Sequence, residues 1–343
     1  MPATQVSDVE PDYEIIFFPT VAHADAPGKT WELEIRGCVY ENEKHRLALA
    51  ILRDALALER VHLTKTEAGV FNERARLFMV DHKGGKKVVI ELGNHALATA
   101  KTKANGEFSA VIRLSDADVQ RLGPGPIEFH ARLPAKDKRV FEGLGTFAPP
   151  SGLSVISDID DTIKITQVRD YQAALKSTFL EPFQAVPGMA QVYQNWATND
   201  GAQFYYVSAS PWQLFLPLTD FLKSNGFPAG VFCLKEFRVT DRTRFSIFEN
   251  PQKYKPGVIE PLFKTFSERK FVLVGDSGER DPEVYGDLAR RFPGRVAHIF
   301  IRDVTGDAVQ SPRYQQAFHD LPAGLWTVFH EPSEIGSVRL RPE

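Results

Sequence analysis

Apolar and polar positions change their rhythm near the middle of the chain. From Tyr13 to about Phe147, short runs rich in β-branched and aromatic residues recur between turn signals, at 14–18, 30–40, 76–80, 87–92, 99–103, 107–114, 127–133 and 139–147. Trp31, Leu33 and Ile35 alternate with polar neighbours, as a half-buried strand requires. Lys83-Gly84-Gly85 marks a turn, and Asn105-Gly106 is a hairpin signal. One helix is expected at about 45–58, with Leu47, Ile51, Leu52 and Ala55 on one face. Short strands at this spacing predict a β-rich, sandwich-like domain of the immunoglobulin kind over residues 1–148.

Ala148-Pro149-Pro150-Ser151-Gly152 reads as a linker between domains. Beyond it, strands alternate with helices, which predicts βαβ units and a parallel sheet over residues 149–343. Strands are expected at 153–157, 203–207, 231–234, 271–274, 296–301 and 325–329. Val168, Tyr171, Leu175 and Phe179 recur at helical period, and a second helix opens at Pro187-Gly188-Met189. A third, amphipathic, runs over 211–225 and is closed by Gly226.

Composition narrows the classes. The chain has 343 residues, 43% apolar and 25% charged, with net charge −3, so bulk charge gives no reason to expect nucleic-acid binding. Cys38 and Cys233 sit in apolar runs and are expected to be buried free thiols, too few for a disulfide framework or a zinc site. Residues 1–11 are polar and acidic, unlike a secretory leader, and no apolar run is long enough to cross a bilayer. The expected location is therefore cytoplasmic, with at most peripheral contact at a membrane surface. His23, His45, His82, His95 and His130 are scattered without metal-ligand spacing, so the first half offers no chemistry.

The second half does. The apolar run Leu153, Val155, Ile156 leads straight into Asp158, Asp160, Asp161 and Thr162. Three carboxylates at the end of a buried strand are costly, because like charges raise one another's pKa. A hard cation such as Mg²⁺ relieves that cost, since it takes oxygen ligands. In open parallel sheets ligands bind beyond the carboxyl ends of the strands. The second strand ends at Ser208, in Ser-Ala-Ser-Pro-Trp, and a later one ends in Gly275-Asp276-Ser277-Gly278 with Asp281 close behind. Lys253 and Lys255 lie on the segment before that strand. Acids for a metal, a hydroxyl and a lysine form a set suited to phosphoryl transfer. Gly275-Asp276-Ser277-Gly278 is also the sequence of a serine-protease nucleophile loop, but no histidine and acid stand in the order that chemistry needs. Dinucleotide and P-loop glycine motifs are absent from the sequence.

In their order, these four motifs resemble those of the haloacid dehalogenase superfamily of phosphohydrolases. The closer resemblance is to the actin-patch-associated phosphatidate phosphatase family, a relative of the lipin type. It rests on Ser-Asp-Ile-Asp-Asp-Thr-Ile-Lys at 157–164, Pro-Gly-Met at 187–189, Ser-x-Ser-Pro-Trp at 208–212 and Gly-Asp-Ser-Gly-x-x-Asp-Pro-Glu at 275–283, and covers about residues 148–310. One departure is Tyr254-Lys255, where the family pattern has His-Lys. The resemblance implies a Rossmann-like parallel sheet of the haloacid dehalogenase type and a Mg²⁺-dependent phosphatase acting through an aspartyl-phosphate. Asp158 would be the nucleophile, and Asp160 the acid and then the base. Asp158, the Asp160 carbonyl and Asp276 would hold the metal, with Asp281 acting through a bound water. Ser208 and Lys255 would bind the phosphoryl oxygens.

Some assignments stay open. Thr162 either caps the turn or orients Asp160 beside substrate; Lys255 is preferred over Lys253 on family register; Arg302 reads as a surface or sheet-edge pairing residue. Substrates to be weighed are a phospholipid, phosphatidate above all, and a small soluble phosphomonoester; a phosphatase fold kept as a binding module is the third reading. The stretch 235–255 carries Lys235, Arg238, Arg242, Arg244, Lys253 and Lys255 among Phe237, Phe245 and Phe248. Such a basic, aromatic rim suits an anionic bilayer, and a solvated loop with buried aromatics is its alternative. On the first reading Arg242 and Arg244 contact the substrate surface.

Overall fold

The computed structural model describes residues 5–24, 30–41, 52, 53, 56, 62–123, 125–235, 251–322, 324–338 and 340, apart from the side chains of 251–253. The chain divides into two units: residues 1–46 with 79–150, and residues 47–78 with 151–343.

Nine strands make up the sheet of the first unit: β1 (Tyr13–Phe18), β2 (Thr20–Ala24), β3 (Thr30–Glu41), β4 (Asp81–His82), β5 (Val89–Leu92), β6 (His95–Ala98), β7 (Glu107–Ser115), β8 (Ile127–Ala131) and β9 (Glu142–Ala148). Pairing is antiparallel except between β2 and β9. The long β3 organises it, pairing β1 over Arg36–Glu41 and β2 over Trp31–Leu33, and β7 over Thr30–Cys38. Its alternation decides which face is buried: Leu33 and Ile35 are fully buried while Glu34 and Arg36 are exposed. Ile90, Leu114, Ile127 and Phe129 join them in one core, with Phe17 edge-on to both Phe108 and Phe129.

Several expectations for this half need correction. Residues 76–80 do not form a strand: Arg76–Phe78 is a 3-10 turn continuing the helix Lys65–Ala75. A short apolar run cannot by itself distinguish the two. Residues 99–103 run beside 86–88 without forming a strand, because the Thr99 and Thr102 hydroxyls accept from Val88 N and Lys86 N at 3.1 and 3.0 Å. Cys233 is only partly buried, unlike Cys38. The helix expected at 45–58 lies outside the described residues, save Leu52, Arg53 and Leu56.

The expected linker at 148–152 coincides with the division after Pro150, but residues 47–78 cluster with the second unit. Their helix, Lys65–Ala75, is closed at its start by a Thr64/Glu67 capping box. Arg74 donates to the Thr178 carbonyl at 2.9 Å, and Phe78 packs on Phe179 at 5.8 Å between ring centroids.

The sheet of the second unit contains β10 (Ser151–Asp158), β11 (Gln203–Pro211), β12 (Gly230–Lys235), β13 (Glu268–Asp276), β14 (Val296–Arg302) and β15 (Trp326–Phe329), all parallel. Their spatial order, β12-β11-β10-β13-β14-β15, reverses direction at β10. That reversal opens a crevice at the carboxyl edge, where Asp158 and Asp276 are the last residues of neighbouring strands. Crossovers are helical, among them Tyr171–Phe179, Met189–Asn199, Phe215–Ser224, Pro251–Thr265 and Asp281–Arg291. Val155, Ile156, Val272 and Leu273 are fully buried, as expected of central strands covered on both faces.

The seating of the Lys65–Phe78 segment has a measurable consequence. Phe78→Ala should destabilise the second unit by about 3 kcal/mol, the usual cost of emptying a buried phenylalanine site. Urea unfolding followed through the fluorescence of Trp196, Trp212 and Trp326 in an otherwise Trp31→Phe chain will test this; an unchanged midpoint would count against the assignment of 47–78 to this unit.

Candidate active site

Asp158 ends β10 with its side chain almost fully buried. Its Oδ2 accepts from the Thr162 hydroxyl at 3.1 Å, and its Oδ1 pairs with the Lys255 ammonium at 2.8 Å. Lys255 comes from the Pro251–Thr265 helix and is fully buried. The same ammonium binds Glu279 at 2.8 Å and also Asp281. Asp276, Glu279 and Asp281 lie on the strand end, turn and helix start that follow β13, so one short segment delivers three acids.

That segment is closely held. Asp276 Oδ1 accepts from Gly278 N at 2.6 Å and Glu279 N at 3.0 Å, which closes the turn. Asp281 Oδ2 accepts from Asp276 N at 3.1 Å. Gly275 is required here, since a Cβ at that position would lie 2.2 Å from Asp281 Oδ2. Asp281 is also the first residue of its helix, where the backbone dipole favours a negative charge.

Carboxylate oxygens of Asp158, Asp276, Glu279 and Asp281 all lie within 4.8 Å of one another. Burial and then mutual repulsion among these acids raise the pKa of Asp158, Asp276 and Glu279, with Lys255 opposing. Burial works against the Lys255 charge, but Asp158, Asp281 and Glu279 outweigh it and raise its pKa well above the usual lysine range. One ammonium faces four carboxylates, and Asp276 Oδ2 is buried without any hydrogen-bond partner. An all-oxygen donor set, an excess of negative charge and an orphaned carboxylate oxygen fit a hard divalent cation. Asp158, Asp276, Glu279 and Asp281 are the residues that would hold it.

Asp160 stands apart from this cluster. Its carboxylate is paired with Lys164 at 2.8 Å and accepts from the hydroxyls of Thr166 at 2.8 Å, Ser208 at 2.9 Å and Ser210 at 3.2 Å. Burial opposes its charge, yet Lys164 and the hydroxyls of Thr166 and Ser208 prevail and bring its pKa down to about 2. Asp161 follows Asp160 directly. It adopts φ 55°, and its carboxylate accepts from the backbone N–H groups of Thr166, Gln167 and Val168, each at 2.7 Å. The energetic penalty of a left-handed aspartate is thus offset by three charge-assisted hydrogen bonds.

Of the residues expected from sequence, Asp158, Lys255, Asp276, Asp281 and Thr162 are brought together, and Ser208 meets Asp160. Asp281 reaches the cluster with its own carboxylate, and the Asp160 side chain is not among the four acids. Arg302 is not merely a sheet-edge residue: it donates to the Asp161 carbonyl at 2.6 Å. Arg242 and Arg244, the rest of 236–250 and the Lys253 side chain lie outside the described residues. Sequence reasoning missed Glu279, Lys164, Thr166 and Ser210. Glu279 had a signal, an acid lying between two acids already singled out, and Lys164 and Ser210 stood in quoted motifs without being given a part. Beside Glu279 opens a cavity of about 400 Å³, lined among others by Arg169, Arg280, Glu283, Asp307 and Arg313, with no hydrocarbon side chain on its wall.

Comparison with known proteins places this geometry. The sequence model of one family, the catalytic domain of phosphatidate phosphatase APP1, matches residues 153–303. Phosphatidate phosphatase APP1 of Saccharomyces cerevisiae is 29% identical over 297 residues, covering 82% of this chain and 47% of the yeast protein. An uncharacterized protein of Schizosaccharomyces pombe is 35% identical over 161 residues, covering 46% of this chain and 26% of its own. The chain thus spans about half the length of the first relative and a quarter of the second. Among solved structures, a beta-glucuronidase from Parabacteroides merdae aligns with TM-score 0.27 and 10% identity over 85% of this chain and 34% of that one, too low to carry any argument. The acids, lysine and strand ends described above fall within the matched segment, and that segment is similar to the catalytic domain of phosphatidate phosphatase APP1.

Proposed function

We propose that the chain is a Mg²⁺-dependent phosphatase of the haloacid dehalogenase type, hydrolysing phosphatidate to diacylglycerol through an aspartyl-phosphate on Asp158. One observation carries the reading: a carboxylate at the end of a central strand, bonded to Lys255 and Thr162, lies beside three further acids, one with an unpartnered buried oxygen. The family model and the yeast relative support the substrate class. Catalysis is assigned to the second unit, and the first is treated as an accessory domain. The working location is the cytoplasm with peripheral contact at a lipid surface; among the described residues no helix is long and apolar enough to cross a membrane.

In this mechanism an Asp158 oxygen attacks phosphorus and the bond to the leaving alkoxide breaks. Asp160 gives that alkoxide its proton, then takes one from the water that hydrolyses the acyl phosphate. The Lys164 contact keeps Asp160 ionised, the form the second step needs. For the first step it must be protonated, and an anionic phosphoryl group crowded against it raises its proton affinity. Ser208 and Ser210 hold the Asp160 carboxylate in place, and Lys255 sets positive charge beside Asp158 where the phosphoryl oxygens arrive. A bound Mg²⁺ would supply further positive charge to those oxygens. The cavity beside Glu279, walled by polar and charged groups, favours a second reading in which the substrate is a small soluble phosphomonoester.

Three outcomes test this. Asp158→Asn and Asp160→Asn should each abolish turnover, but with opposite effects on stability in the absence of metal. Removing the Asp158 charge relieves repulsion and leaves Lys255 paired with Glu279 and Asp281, so stability should hold or rise. Removing the Asp160 charge strands buried Lys164 and should cost about 3 kcal/mol in chemical denaturation. Turnover by either variant above a small fraction of wild type would refute the roles given to these acids.

Activity should require Mg²⁺ and fall when Ca²⁺ replaces it, because Ca²⁺ takes more ligands at longer distances and lets Asp158 coordinate in a pose unfit for attack. Full turnover in excess chelator would rule out metal assistance. Finally, phosphatidate in mixed micelles should be hydrolysed faster than short soluble esters, with a rate that falls as salt rises and with Arg242→Glu/Arg244→Glu. Equal rates on both substrate forms, insensitive to salt and to those changes, would favour the soluble phosphomonoester.

A further inference from the structure

Arg313 lies on the short helix Pro312–Ala317, beyond the segment that the family model matches. Its guanidinium reaches back to the turn between β13 and the Asp281–Arg291 helix. One terminal nitrogen donates to the Ser277 carbonyl, and the other to the Glu279 carbonyl. Nε donates to Glu283 Oε1 at 3.0 Å, and a terminal nitrogen also reaches Glu283 Oε2 at 3.3 Å. These contacts bracket the three acids that the segment delivers: Ser277 follows Asp276, Glu279 is itself one of them, and Glu283 sits one residue past Pro282 from Asp281.

We infer that Arg313 is the positioning residue for the cation-binding turn, holding Asp276, Glu279 and Asp281 at the mutual distances a divalent ion needs. The inference rests on the metal-site reading of these acids. The physical reason is the number of anchors the turn demands. Asp276 Oδ1 and Asp281 Oδ2 close the turn from inside, using one carboxylate oxygen each. Neither bonds the carbonyls of Ser277 and Glu279, and the acids of the turn repel one another. A planar fork that grips both carbonyls and also a side chain of the following helix supplies that restraint from outside. Lysine, a single point charge on a flexible stem, cannot make these bonds at once. Arg313 touches none of the four carboxylates and no reacting atom, so its effect is exerted through the ligands. Outer-shell partners of this kind typically contribute 10–100-fold to metal affinity.

The test measures metal binding rather than turnover. Mg²⁺ and Mn²⁺ are titrated calorimetrically into the full chain and its variants, with circular dichroism and melting temperature recorded for each. Arg313→Lys should keep the fold and bind both ions about tenfold more weakly, and Glu283→Gln, which removes one side of the grip, should weaken binding by less. Arg290→Lys is the control for packing alone, because Arg290 donates to the Ala317 carbonyl at 2.9 Å on the same helix pair without touching the turn; its metal affinity should stay at the wild-type value. Wild-type affinity in folded Arg313→Lys overturns the positioning role, as does an equal loss in Arg290→Lys. Should Arg313→Lys fail to fold, Glu283→Gln decides by the same measurement. No cation binding by the wild-type chain overturns the metal site and this inference with it, an outcome distinct from the first.

Discussion

One buried ammonium among four carboxylates is the constraint on which the second unit is built. In so dry a place each uncompensated charge costs several kcal/mol, so the acids can be kept together only if something else holds them. Lys255 answers part of the demand by bridging Asp158, Glu279 and Asp281. The backbone answers another part: the first turn of the Asp281–Arg291 helix and the N–H groups of Asp276, Gly278 and Glu279 all present positive ends to the acids. Side-chain volume has to give way as well, which is why Gly275 faces Asp281 with no Cβ between them. The parallel sheet matters because it ends β10 and β13 side by side, so acids more than a hundred residues apart in sequence meet at one edge.

A second consequence is that two aspartates two positions apart receive opposite electrostatic treatment. Burial and the neighbouring acids raise the pKa of Asp158 against the pull of Lys255, whereas Lys164 and hydroxyls lower that of Asp160. Directly after them Asp161 has a left-handed backbone, and its carboxylate ties the turn to 166–168. Arg302 fixes the same residue from β14 through its carbonyl. A residue that looks redundant in Asp-Ile-Asp-Asp-Thr therefore anchors the turn that follows Asp160.

Much of the parallel sheet was legible in the sequence, because a strand covered on both faces must be continuously apolar and the polar residue that ends it stands out. Asp158 and Asp276 could be found on that ground alone, whereas Ser208, expected to end its strand, lies within β11, which runs on to Pro211. Lys255 and Asp281 needed the order of the motifs, since a lysine in mid-helix and an acid at a helix start are common for local reasons. The parts played by Lys164, Thr166 and Ser210 were not legible, because they depend on turn geometry that no spacing rule encodes. The first unit was read less well. Strands with clear alternation such as β3 and β7 stood out, but β2, four residues of which are small or polar, did not. Where threonine hydroxyls substitute for ladder hydrogen bonds, as at Thr99 and Thr102, composition suggests a strand and the side chains prevent one.

The Lys65–Ala75 helix shows why a motif-bearing segment and a folding unit need not coincide. Arg74 is 6% exposed, and the loss of water brings its pKa down to about 10. Such burial must be compensated, and the compensation comes from the second unit: the Thr178 carbonyl and the ring of Phe183, whose centroid is 3.3 Å from the guanidinium carbon. The Lys164 ammonium lies 4.9 Å from the centroid of that same ring and pairs with Asp160. A cation supplied from before the linker and a cation bound to the active-site acid thus share one aromatic side chain. Displacing Arg74 would expose one side of Phe183 and loosen the packing that keeps Lys164 on Asp160. Among the described residues, the Lys65–Ala75 helix thus ties sequence from before the linker to the packing around Asp160.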